Sequence, residues 1–160
     1  MLEFPEGISH YSFPTLIDFG TGARRNIAGA LAEKGLSRPL IVTDEGLAKL
    51  SPVLDVKALL EAAGLSPALF SGVVGNPVKS QVNAGVESYH AAGADSIVAI
   101  GGGAPLDVAK AIALMVHHPG DLFDYEDGKA DAPAVDKDIP FLIAVPTTAG
   151  TGSEVGRSAV

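Results

Sequence analysis

Three consecutive glycines, Gly101, Gly102 and Gly103, follow the apolar run SIVAI at 96–100 and open the stretch GGGAPLDVAK at 101–110. Residues without side chains let backbone amides approach an anion closely, and a helix starting behind them presents its N-terminus to the same anion. The pattern predicts a phosphate cradle. A charge-assisted amide-to-phosphate bond is worth about 1.5–3 kcal/mol and the helix end about 0.3–1 kcal/mol, so several together hold a pyrophosphate. The same letters also suit a tight strand-to-helix turn that binds nothing. They do not form the dinucleotide fingerprint G-x-G-x-x-G, because Leu106 stands where glycine or alanine is required.

A second candidate is PTTAGTGSE at 146–154, placed directly behind the apolar run FLIAV at 141–145. Its hydroxyls and glycines can donate to phosphate, ribose or a nicotinamide amide, and the alternative is a solvated turn. TGSEVGRS within this region is not a P-loop, since Thr151 occupies the place of the first glycine and Arg157 that of the lysine. The third candidate is Asp44, behind PLIVT. It can accept hydrogen bonds from an adenosine ribose and repel a 2′-phosphate, or it can cap a helix starting near Glu45. Asn76 with Pro77 reads locally as a turn. Of the four histidines, only His117 and His118 are close in sequence, and adjacent helical residues face apart. No metal site is expected.

All three candidates require strands that end at one edge of a sheet. YSFPTLIDF at 11–19 is expected to be an opening strand, with Pro14 marking a sheet edge or a hairpin. FGTGARRNIAGALAEKG reads as a turn and a helix, PLIVTD at 39–44 as a buried strand, and 46–64 as a helix interrupted near Ser51 and Pro52. SPALFS at 66–71 is a weaker strand, 78–92 a helix closed by Gly93, SIVAI a strand and 105–116 a helix. HHPGDLFDYEDGKADAPAVDKD is an acidic surface excursion before the strand FLIAV. Strands alternating with helices predict an α/β fold, a parallel sheet with helices on both faces, because parallel strands need crossover connections. GRSAV at the end reads as the start of another strand, as though the chain stopped mid-fold. There is no internal repeat, low-complexity tract or second-domain linker, so residues 1–160 form one domain.

Composition narrows the function. The 160 residues, 47% hydrophobic and 19% charged, suit an ordinary globular domain able to bury about 68–70% of its unfolded surface. Nineteen acidic against eleven basic side chains, a formal charge of −8 without a basic cluster, exclude a nucleic acid or an anionic membrane as partner. The absence of cysteine removes thiol catalysis, thiolate metal sites and disulfides. The N-terminal stretch has no signal-peptide pattern and no segment reaches membrane-spanning length, so a cytoplasmic location is expected.

Taken together, GGGAPLDVAKAIALM and PTTAGTGSEV, with PTLIDFGTGA, IVTDEGL and GNP at 75–77 in order before them, resemble the iron-containing alcohol dehydrogenase family over its N-terminal half. The resemblance implies a Rossmann-like NAD(P)-binding domain, with a helical C-terminal domain, absent from this chain, supplying an aspartate and histidines to iron or zinc. It assigns Gly101, Gly102, Gly103 and Asp107 to the phosphate motif, Thr147, Thr148, Thr151 and Ser153 to the second loop, and Asp44 and Asn76 to the adenosine side. Ala104 departs from the serine common in the family, which removes one hydroxyl contact.

The implied activity is hydride transfer between a small alcohol or aldehyde and nicotinamide in a homo-oligomeric enzyme, using NAD or NADP, with no catalytic residue or metal ligand in this half. Asp44 favours NAD. A dehydroquinate-synthase-like cofactor domain and a non-catalytic nucleotide-binding or interaction module remain the alternatives.

Overall fold

A computed structural model of the chain describes residues 15–159. Four parallel strands alternate with four helices: α1 (Ile27–Glu33, preceded by a 3-10 turn at Ala23–Asn26), β1 (Pro39–Asp44), α2 (Ser51–Ala62), β2 (Ala68–Val73), α3 (Lys79–Ala91), β3 (Ser96–Gly101), α4 (Gly103–Met115) and β4 (Phe141–Pro146). The sheet order is β2-β1-β3-β4, with Ile41 opposite Val98 and Gly101 opposite Pro146. The chain therefore turns one way from β1 and crosses back over it to reach β3. This reversal opens a crevice beyond the carboxyl ends of β1 and β3.

The central strands are apolar on both sides because both faces are covered. Leu40, Val42, Ile97 and Ala99 pack with Leu106, Val108 and Ile112 of α4 and Val82 of α3. Ile41, Val98 and Ile100 pack on the other face with Ile27 and Leu31 of α1 and Val53, Val56 and Leu60 of α2. The fold is the expected Rossmann-like sheet with helices on both faces. Among the described residues, no helix is long and apolar enough to cross a membrane.

At their other ends β1 and β3 are fastened together. The Asp95 carboxylate accepts the backbone N–H groups of Ser37 at 2.9 Å and Arg38 at 3.0 Å and the Ser96 hydroxyl at 2.9 Å, while the Asp95 N–H donates to the Arg38 carbonyl at 3.0 Å. Burial alone would raise this carboxyl's pKa. The hydrogen bonds and the Arg38 charge outweigh that cost and hold it below the usual carboxylate range.

Three elements differ from expectation. Residues 15–19 of the predicted opening strand join no strand, with Leu16 and Phe19 92% and 100% exposed; residues 11–14 lie outside the described residues. Their alternation suits a sheet, but they pair with neither edge strand, and a strand exists only where an edge accepts it. Residues 156–159 also form no strand, and the carbonyls of Gly156 and Ser158 accept from Lys110 Nζ instead. Val160 is outside the described residues. The second helix starts at Ser51 rather than 46, since Pro52 suits a first turn and residues 45–49 are held in a turn by the Asp44 side chain.

The excursion before β4 is anchored by its histidines. His118 is buried, with Nδ1 2.8 Å from the Leu114 carbonyl and Nε2 accepting the Lys137 N–H at 3.1 Å. Because Nε2 accepts, the proton lies on Nδ1 and donates to Leu114. His117 Nδ1 donates to the Asp138 carbonyl at 2.6 Å.

Candidate functional site

Each strand of the sheet delivers its last residues to one open cleft of about 920 Å³. Asp44 enters from β1, Val73 with Val74 and Gly75 from β2, Gly102 and Gly103 from the turn behind β3, and Thr147 and Thr148 from behind β4. The reversal of strand order leaves the space between the β1 and β3 ends free of a crossing connection.

The glycine turn has a different reason at each position. Gly101 adopts φ +152, and a Cβ there would stand 2.6 Å from Pro105 Cγ, so conformation and packing both exclude a side chain. Gly102 has φ −77, open to any residue, yet a Cβ would meet Thr148 Oγ1 at 3.3 Å. At Gly103 a Cβ would lie 3.2 Å from Ser153 Oγ and 3.5 Å from Thr151. The hydroxyl loop thus folds directly over the glycines. No side chain caps α4, and the first-turn amides of Gly102, Gly103 and Ala104 have no intrahelical acceptor, while Pro105 carries no N–H.

Asp44 is partly buried, and its Oδ1 accepts the Leu47 N–H at 2.8 Å while Oδ2 lies on the Gly101 side. That bond closes the turn at 45–49 and caps no helix, because α2 begins at Ser51 behind Leu50 with no side-chain cap, so the expected helix-capping role of Asp44 is not met. Among the described residues lining the cleft, the charged side chains are Asp44 and Glu45, with no lysine or arginine. Any phosphate held here is held by amides, hydroxyls and the end of α4.

The remaining sequence candidates stand around this cleft. Asn76 is exposed at its rim, next to Gly75. Asp107 turns away to pair with Lys110 at 2.8 Å and to accept the Ser153 hydroxyl at 3.1 Å. Thr151 Oγ1 accepts the Ser153 N–H at 3.3 Å, and the Gly101 carbonyl accepts the Thr147 N–H at 2.8 Å. Asp107, Thr151 and Ser153 therefore brace the hydroxyl loop against α4, and Gly101 ties it to β3. Sequence reasoning overlooked Gly46 and Leu47, whose part depends on a side chain folding back on its own turn. The glycine two residues behind Asp44 was the available signal.

Among the described residues, no group of three or more His, Cys, Asp or Glu side chains could hold a metal ion.

Comparison with known proteins agrees with this fold. The family model described as iron-containing alcohol dehydrogenase matches residues 14–160. A choline dehydrogenase of Bacillus subtilis (strain 168) is 40% identical over 150 residues, covering 94% of this chain and 37% of that protein. Among solved structures, the NADH-dependent butanol dehydrogenase A of Thermotoga maritima superposes with a TM-score of 0.78 at 30% identity, over 91% of this chain and 36% of the other. A sulfoacetaldehyde reductase of Bifidobacterium kashiwanohense in complex with NAD+ gives 0.78 at 31% identity, over 93% and 38%. The chain spans less than two-fifths of the length of each.

Proposed function

The chain belongs to the iron-containing alcohol dehydrogenase family, and from that premise we propose that it is the dinucleotide-binding part of an NAD-linked, metal-dependent enzyme exchanging hydride between a small alcohol or aldehyde and nicotinamide. The observation that carries this reading is the convergence of Asp44, the uncapped amides at Gly102–Ala104, and Thr147 and Thr148 on one cleft from separate strand ends.

The residues fit the cofactor by charge and by shape. The amides of Gly102, Gly103 and Ala104 receive the pyrophosphate, where a basic side chain is missing and the end of α4 supplies the positive field. Asp44 accepts from the adenosine ribose with Asn76 at the rim on the same side, and Thr147 and Thr148 face the nicotinamide half. Gly101, Asp107, Thr151 and Ser153 hold these groups in register, so orientation is prepared before binding. When bound, the nicotinamide ring supplies the hydride-accepting or hydride-donating centre. The described residues contain no ligand set for a metal, and no step through one is assigned to them. The choline, butanol and sulfoacetaldehyde in the relatives' names differ too widely to choose one substrate.

Calorimetric titration tests the reading. NAD+ should bind tighter than NADP+ by about ten- to a hundredfold, the equivalent of a charge-assisted hydrogen bond, and Asp44→Gly should erase most of that difference. Equal or tighter NADP+ binding to the unmodified protein would overturn the assignment of Asp44.

A further inference from the structure

Gly46 has no evident structural reason to be a glycine. Its φ lies outside the left-handed region, and among the described residues a Cβ built there would have a single neighbour within 4 Å beyond its own chain neighbours: Asp44 Oδ1, at 3.1 Å. It packs against nothing else, while it lines the cleft beside that carboxylate. An added methyl group would press on the oxygen that accepts the Leu47 N–H. The carboxylate would have to rotate about its Cα–Cβ or Cβ–Cγ bond or draw away from the Leu47 amide.

We propose that Gly46 is a positioning residue that fixes the Asp44 carboxylate for the ribose diol of an adenine dinucleotide, and so sets the choice between a free and a phosphorylated 2′-hydroxyl. This rests on the functional reading above. A ribose hydroxyl donating to the remaining oxygen demands a carboxylate in one orientation, and a swing of a few tenths of an ångström misaligns that acceptor. The 2′-phosphorylated cofactor gains nothing from that orientation, so its affinity is insensitive to the change. A glycine in an ordinary backbone conformation also leaves the unfolded chain more freedom than alanine would. Gly46→Ala should therefore preserve or raise the melting temperature, whereas a glycine kept for the fold would lower it.

The test titrates NAD+ and NADP+ calorimetrically into the wild-type protein, Gly46→Ala, Asp44→Gly and the double variant, with thermal melting of each. Gly46→Ala is expected to weaken NAD+ by about three- to tenfold, to leave NADP+ unchanged and to keep the melting temperature. In the Asp44→Gly background it should no longer alter the ratio. If Asp44→Gly narrows the ratio while Gly46→Ala leaves it intact, or weakens both cofactors equally, the positioning role is overturned and the reading of Asp44 stands. If Asp44→Gly leaves the ratio unchanged, that reading falls and the role of Gly46 falls with it.

Discussion

Thr43 lies one residue before Asp44 in β1, fully buried, and among the described residues its Oγ1 has no hydrogen-bond partner. A hydroxyl taken out of water without a partner costs free energy that an apolar group of the same shape does not. Thr43→Val should therefore stabilise the fold by about 1–3 kcal/mol, read as a higher urea midpoint at unchanged m-value. A lower midpoint would mean that the hydroxyl is satisfied in solution. The contrast with Asp44 is instructive, because adjacent residues on one strand point to opposite faces. One side chain enters the core between β1 and its helices, and the next reaches the cleft.

At the scale of elements, α3 and α4 approach each other through Gly85. A Cβ at this position would stand 2.1 Å from Ile112 Cδ1 and 2.7 Å from its Cγ1, and Ile112 is fully buried with no room to withdraw. Gly85→Val should overpack this contact and cost about 1–3 kcal/mol, measured by urea denaturation. A neutral outcome would show that the two helices can separate. The Asp95 clasp belongs to the same scale, since it joins the entries of β1 and β3. Its folded pKa is depressed, so its contribution to stability is present above the unfolded carboxylate pKa of about 3.9 and lost as pH falls through the folded value. Asp95→Asn should lower stability at neutral and alkaline pH by a constant amount and flatten its further loss below about pH 4. Urea midpoints at several pH values check this. An unchanged acid limb would assign that loss to other carboxylates.

At the scale of the whole molecule, the described histidines are taken up by local contacts. His117 and His118 are spent on the backbone of the excursion, His90 sits edge-on to Tyr89, and His10 lies outside the described residues. A metal-dependent dehydrogenase needs a Lewis acid beside the alcohol oxygen. Residues 1–160 supplied with ferrous iron or zinc should show no alcohol-dependent NADH formation, while still binding NAD+ in the calorimeter. Turnover by the metal-supplemented chain, purified from a host lacking such enzymes, would move the catalytic centre into this domain.

The alternation of strands and helices, the parallel sheet and the placing of Asp44, the glycine triplet and the threonines behind strands were all legible in the sequence. Those features follow from local periodicity and from residues whose backbone demands are intrinsic. The tertiary structure decided the rest, because it depended on partners distant in the chain. Strand order placed the crevice between β1 and β3. The absence of pairing with either sheet edge kept 15–19 from becoming a strand, and Lys110 and Ser153 drew Asp107 away from the cleft. The turn that the Asp44 carboxylate closes through the Leu47 amide is likewise a matter of three-dimensional contact, invisible to spacing alone.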